Sequence, residues 1–405
     1  LWGIGPFGVA IQRLDTDGAR SSQPADVFDA WLKWGWQTEK RGIQLEMRQS
    51  TLDREPPTTW AQTRRRRDLM LRVRNRFGES VTAEAYVGRA SVDNEPPEGA
   101  EDAPGVPSPV ERSGVQGGVR TSVALPNGWL EASLRARDEP SLPRLQTDFG
   151  AGFALGSIAA VRGDVSHQSW RGADATLSFS ARADAGPIHG VVPFLEWTTG
   201  ERGAPFYADP EVTAPLIDNR TAFRVGAEAT VPWVTLGGAF LRAEVDSVPA
   251  FGLPFERERR SYAGGSVEGF EAYGRTRLFF DWLAAEGSYQ RWLSGQRWAY
   301  LPVEEGRAAL TMDWTPMPSG NLQLIGWLEA RRRGNVLTPD PGDNGLTLAT
   351  LPARTIYNAY LQIRILSLRI FARYENLSGQ AAEDFLGQPV PGPRLFYGVK
   401  WSFWN

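Results

Sequence analysis

The chain has 405 residues, a formal net charge of −3, 41% hydrophobic residues and no cysteine. That balance excludes a globally basic surface for nucleic acid, and the missing cysteine excludes disulfides, thiol chemistry and cysteine-held metal. Mean hydropathy is negative and no run approaches the roughly 20 apolar residues of a spanning helix, yet 16 Trp are present, as suits a membrane β-barrel with aromatic girdles.

In chain order, strands are predicted over 2–14, 26–37, 42–53, 66–77, 80–92, 114–125, 129–138, 145–154, 157–167, 173–184, 188–199, 220–231, 233–246, 267–280, 282–294, 306–316, 320–333, 353–365, 367–377 and 394–404. Alternation is their signal. Phe28, Ala30, Leu32, Trp34 and Trp36 share one face, against Asp29, Trp31, Lys33 and Gln37. Leu69, Leu71, Val73 and Phe77 oppose Arg72, Arg74 and Arg76, and Tyr357, Ala359, Leu361, Ile363 and Ile365 oppose Asn358, Gln362 and Arg364. A helix would need a period of 3.6, which these runs lack.

Tight turns, mostly marked by Gly, Pro or Asn, are expected near 38–41, 78–79, 126–128, 155–156, 185–187, 232–233, 281–282, 318–321 and 366–367. Long polar connections are expected over 15–25, 54–65, 93–113, 200–219, 247–266, 295–305, 334–352 and 378–393. Short turns alternating with long loops are the pattern of outer-membrane barrels. The predicted fold is therefore all-β: one transmembrane antiparallel β-barrel of about 20 strands, within a range of 18–22, with both termini on the short-turn side. A soluble sandwich or propeller is the competing fold. It has no room to bury the charges that recur on the polar faces, and no propeller repeat is present.

The final twelve residues alternate strictly. Leu395, Tyr397, Val399, Trp401 and Phe403 share one face; Phe396, Gly398, Lys400 and Ser402 share the other. A soluble edge strand would expose that aromatic row; a closing strand would give it to lipid.

The last two strands and their connection also carry Glu375-Asn376-Leu377, Glu383-Asp384-Phe385, Pro391-Gly392, Arg394, Phe396-Tyr397-Gly398-Val399 and Phe403. This stretch resembles the C-terminal end of TonB-dependent outer-membrane receptors. Pro393 is inserted before Arg394, and the chain runs two residues past Phe403. The resemblance implies a bacterial outer-membrane location, a lipid and lipopolysaccharide environment, and recognition of Tyr397, Val399, Trp401 and Phe403 by the barrel-assembly machinery. It also implies a monomer. Family members carry a plug domain and a TonB-contacting box. Residues 1–405 read here as a single barrel domain with neither, so energy-coupled import is not carried over.

Lumen-facing candidates are Arg72, Arg74, Arg76, Glu131, Arg135, Arg182, Arg224, Glu228, Arg275, Arg277, Glu329, Arg364 and Arg373. Inward basic rows bias a lumen toward anions. Catalytic and metal sites are expected to be absent, as are cofactors. Of the two histidines, His167 at a strand's outer end stands beside Ser166, but strand neighbours point opposite ways. His189 sits by a turn. The acidic stretches 93–102 and 340–345 lack the spacing of a calcium loop. Arg64–Arg67 lies where a loop re-enters a strand and could meet lipopolysaccharide phosphates.

Three functions fit. The first is an outer-membrane channel or receptor-like barrel passing an unidentified solute. The second is a structural anchor binding a lipoprotein or an extracellular partner, and the third a rim-located enzyme at His167; a separate plug or lipoprotein subunit is the expected protein partner. The loops at 93–113 and 247–266 are long enough to fold inward as constrictions.

Overall fold

The computed structural model describes residues 7–16, 25–54, 62–95, 110–139, 142–204, 215–250, 261–295, 297–340, 342, 347–386 and 388–401. Twenty long strands belong to one antiparallel sheet, and each coincides with a predicted strand. The chain divides into two compact units. The first holds residues 1–156, 161–181 and 200–217; the second holds 157–160, 182–199 and 218–405.

The first unit contains β1 (Phe7–Thr16), β2 (Ala25–Gln37), β3 (Arg41–Arg54), β4 (Gln62–Phe77), β5 (Val81–Glu95), β6 (Val110–Leu125), β7 (Gly128–Arg137) and β8 (Leu145–Leu155). Each pairs antiparallel with the next. Register carries the alternation across strands. Gln44, Arg72, Tyr86, Gly118, Arg135 and Gln146 form one row, and Leu45, Leu71, Val87, Gly117, Ala136 and Leu145 form the next. A slip of one residue at any pair would put charge into the apolar row. The turns are short because they are self-capped: between β2 and β3 the Thr38 hydroxyl accepts the Arg41 N–H at 3.0 Å. Between β4 and β5, Gly78 takes φ 64°, which an L side chain resists.

Strands β9 (Ala159–Ser169), β10 (Thr176–Ala185) and β11 (Val191–Ala204) are divided between the units. The second unit continues with β12 (Leu216–Val231), whose first two residues belong to the first unit, β13 (Val234–Pro249), β14 (Ser261–Arg277), β15 (Leu283–Gly295), β16 (Glu304–Trp314), β17 (Leu322–Arg333), β18 (Val336–Pro339), β19 (Leu348–Leu351), β20 (Arg354–Ile365), β21 (Leu368–Glu375), β22 (Glu383–Phe385), β23 (Gln388–Pro389) and β24 (Arg394–Trp401). From β12 the long strands pair in order, skipping the short ones. On β24 the apolar face stays open: Tyr397 is 79% and Val399 66% exposed. Leu236, Leu310, Leu328, Leu361 and Ile370 are also exposed. An apolar face this continuous is stable against lipid and a liability in water.

The segments 334–352 and 378–393 differ from expectation. The sequence predicts polar connections there, and the structure folds them into the hairpins β18–β19 and β22–β23. The first hairpin is ordered by burial. Leu351, Thr338 and Val336 are buried, and Leu348 packs with Tyr262, Trp298 and Tyr300 on Val245, Val248 and Ala299. Residues 297–303 join it, with the Tyr300 N–H donating to the Leu337 carbonyl at 2.8 Å. A second departure concerns Arg64–Arg67, which lies wholly within the first residues of β4 because the strand starts at Gln62 and not at 66. Register puts Arg64 and Arg66 in line with Arg72, and Arg65 and Arg67 in line with Leu71. Residues 96–109 of the 93–113 connection, 251–260 of the 247–266 connection, the acidic residues 343–345, and Phe403 lie outside the described residues.

The two-faced sheet makes a direct prediction on β20. Leu361→Arg should cost about 2–4 kcal/mol in a bilayer, the range for a charge on a lipid-facing barrel position. Gln362→Arg, on the polar face, should stay within about 0.5 kcal/mol. Urea unfolding in lipid vesicles compares them directly.

Candidate functional site

The thirteen sequence-derived candidates all fall on the polar face, by register or by side-chain contact with residues placed by register. They are not equivalent. Arg76, Arg277 and Arg364 serve turns: Arg76 donates to the Glu79 carbonyl at 2.8 Å, Arg364 donates to the Gly320 carbonyl at 3.0 Å, and Arg277 lies 3.8 Å from Asp281. The other candidates lie along the strand bodies.

In the first unit, Arg72 faces Glu84 at 3.4 Å and Arg120 meets Glu131 at 2.6 Å. Arg74 stands opposite Glu84 in register. Arg135 donates to the Tyr86 hydroxyl at 2.8 Å. Asp148 accepts from Ser133 at 2.9 Å and from Ser166 at 2.6 Å. Ser166 therefore belongs to the polar face, and exposed His167 is its strand neighbour on the other face. The Ser–His proximity in sequence does not become a catalytic contact, because a nucleophile and base must come within hydrogen-bond reach. His189 occupies the Ile188–Val191 turn with φ 52°. Among the described residues, no cluster of His, Cys, Asp or Glu could hold a metal.

The second unit is denser. Arg182 reaches Asp184 at 2.7 Å, Glu228 at 3.4 Å and Glu196 at 3.7 Å, with its guanidinium 4.5 Å over the Phe194 ring. Arg224 bridges Glu196 at 2.8 Å and Glu271. Phe194, Ala239 and Leu241 form a buried apolar cluster beneath these charges. Burying the stems of the pair while their heads stay paired is how arginine suits such a wall. The Tyr273 hydroxyl donates to Glu228 at 2.7 Å, and its ring lies where a Cβ on Gly237 would come within 2.4 Å of it. Glycine at 237 is thus the space the tyrosine needs.

Beside this network lies a concavity of about 1110 Å³. Arg307, Arg331, Arg332, Arg333, Arg354, Arg373 and Arg394 line it, with Glu271, Glu305, Glu329, Glu375 and Asp384; Arg332 pairs with Glu304 at 2.7 Å. The carboxylates are shared between arginines. Glu329 is held by Arg307 at 2.5 Å and Arg331 at 2.6 Å. Glu375 takes Arg373 at 2.8 Å and Arg394 at 2.7 Å. Asp384 takes Arg333 and Arg354. Glu271 is already engaged by Arg224. The wall thus carries more guanidinium than carboxylate. Arg275 stands opposite Glu286 in register, but Glu286 is engaged by Arg307 at 2.8 Å.

Sequence reading missed Arg333, Arg354, Arg394 and Asp384. The signal for the first two was present, since Arg333 shares parity with Glu329 and Arg331, and Arg354 with Asn358 and Arg364. Asp384 carried no such signal, because its position depends on how a connection folds.

The chain matches no family model and no curated protein sequence. Solved structures do match. The copper transporter OprC superposes with a TM-score of 0.70 at 13% identity, covering 98% of this chain and 75% of that one. The FrpB iron transporter from Neisseria meningitidis, in its apoprotein form, gives 0.66 at 11% identity over 93% of this chain and 71% of that one. The siderophore receptor PirA from Acinetobacter baumannii gives 0.66 at 9% identity over 98% and 75%. The chain shares the antiparallel β-barrel fold of these proteins. In a barrel of this type the apolar face meets lipid and the polar face lines the interior.

The shared carboxylate at the centre of the wall can be tested. Glu329 is nearly buried while its two arginines are more exposed. Glu329→Ala should therefore cost about 2–3 kcal/mol, below the full cost of breaking a buried pair because water can re-solvate the arginines. Glu329→Gln, which keeps one acceptor, should cost less. Thermal shift of the heat-modifiable band reads both.

Proposed function

We propose that the chain is a transport barrel of the bacterial outer membrane, with a wet lumen that favours anionic solutes. The observation that carries this reading is the arginine-rich concavity on the polar face of the second unit, where seven arginines line the space with five carboxylates. A barrel of about 20 strands is too wide for its own side chains to fill and encloses a channel or a plug. OprC, FrpB and PirA, named as transporters or as a receptor, support passage of a solute over catalysis. The thirteen polar-face candidates are then lumen residues, with Glu329 and Arg373 in the arginine-rich wall itself. Tyr397, Val399, Trp401 and Phe403 form the C-terminal signal for the assembly machinery, and Arg65 and Arg67 meet lipopolysaccharide at the outer rim. Residues 1–405 act as one barrel domain. A separate plug or lipoprotein chain is the partner that would convert an open conduit into a gated one.

Single-channel recording in planar bilayers tests this. Stable steps with greater permeability to chloride than to potassium are expected, falling toward parity in Arg331→Glu. Silence from folded protein would oppose an open conduit, and cation preference would oppose the anion bias.

A further inference from the structure

Arg333 ends β17 and Arg354 begins β20, and the two stand directly opposite each other in register. Like charges in that relation repel. Both are largely covered, with side chains 20% and 14% exposed. Two guanidiniums held together away from water need an anion between them. Glu305 lies opposite Arg333 on the far side, but no ion pair joins them among the described residues. The group that meets both is Asp384, at 3.5 Å from Arg333 and in direct contact with Arg354.

Asp384 lines the concavity but is not carried by the long strands of the sheet. It belongs to the flap formed by β22 and β23, a hairpin of very short strands. The flap reaches the wall through oxygen atoms. Arg333 donates to the carbonyl of Glu383 at 2.8 Å and of Asp384 at 3.2 Å, and Arg354 donates to the carbonyl of Glu383 at 3.3 Å. The Asp384 side chain is itself 48% exposed. The arginines are thus preorganised and covered while their counter-ion is wet and mounted on a small element. The Nε of Arg333 is buried with no hydrogen-bond partner.

We infer that Arg333 and Arg354 form a binding site for a solute bearing phosphate or a comparable multivalent oxyanion, and that Asp384 is its built-in competitor. Paired guanidiniums recognise such groups bidentately. An arriving oxyanion takes the place of the Asp384 carboxylate, and the flap loses its charged anchor. This rests on the transport reading for its purpose, since it names the class of solute the arginine-rich wall would receive.

Binding of inorganic pyrophosphate to the full chain in detergent, followed by calorimetry at constant ionic strength, tests the inference. Asp384→Asn should bind about tenfold more tightly than the wild type, because removing an internal competitor raises the fraction of competent sites. The double variant Asp384→Asn with Arg354→Gln should lose that gain. A gain in affinity cannot arise from misfolding, so the first variant stands even where the second is destabilised. Equal affinity in Asp384→Asn and wild type would overturn the site, as would a gain that survives Arg354→Gln. Bilayer conductance without pyrophosphate judges the conduit separately. Channel steps with no Asp384→Asn effect reject this site alone; the Asp384→Asn effect without channel steps rejects the conduit alone.

Discussion

Everything in this chain depends on one constraint: in lipid, no backbone N–H or C=O can be left without a partner. Strands satisfy it only by pairing along their whole length. That is why the long strands pair residue by residue, with a bulge recorded in the β14–β15 ladder at Glu268/Gly269. Once pairing is complete, side chains have only two directions to go. The rows Leu45–Leu71–Val87 and Gln44–Arg72–Tyr86 are the direct result, separated by a single residue step and opposite in chemistry.

The polar face then has a problem of its own, because a wall of strands brings charges within contact of one another. The solution here is sharing. Glu329, Glu375 and Asp384 each serve two arginines, and Arg182 and Arg224 both draw on Glu196. Such a network is stable as a unit, since removing one member leaves others unpaired. It also leaves positive charge unspent. Function on this reading comes from that surplus, and from aromatic and apolar groups such as Phe194 and Tyr273 that hold guanidiniums and carboxylates in place.

Much of this is legible in the sequence. Period-2 alternation has one interpretation when both faces are populated by the wrong groups for a soluble core, so the strands could be placed within a few residues. Their outer ends were less legible. Strand β4 starts at Gln62, four residues before the predicted start, because pairing with β3 and β5 continues through the arginine run. The hairpins β18–β19 and β22–β23 were not legible at all. Val336, Thr338 and Leu351 look like ordinary loop residues in the sequence yet are buried, and Leu348 of the same hairpin packs with Trp298 and Tyr300 on Val248. Asp384 has the same character: its partners are 51 and 30 residues away in sequence and no local pattern links them.

The absence of native cysteine gives a clean way to test the two-faced sheet itself. The most direct measurement places single cysteines at each position from Ile356 to Ile363 on β20, spin-labels them in lipid bilayers, and compares accessibility to oxygen and to a water-soluble nickel complex. Tyr357, Ala359, Leu361 and Ile363 should be relaxed by oxygen, and Ile356, Asn358, Tyr360 and Gln362 by nickel, in strict alternation. Uniform accessibility to nickel along the strand would contradict the account, because it would mean that both faces of the sheet are in water.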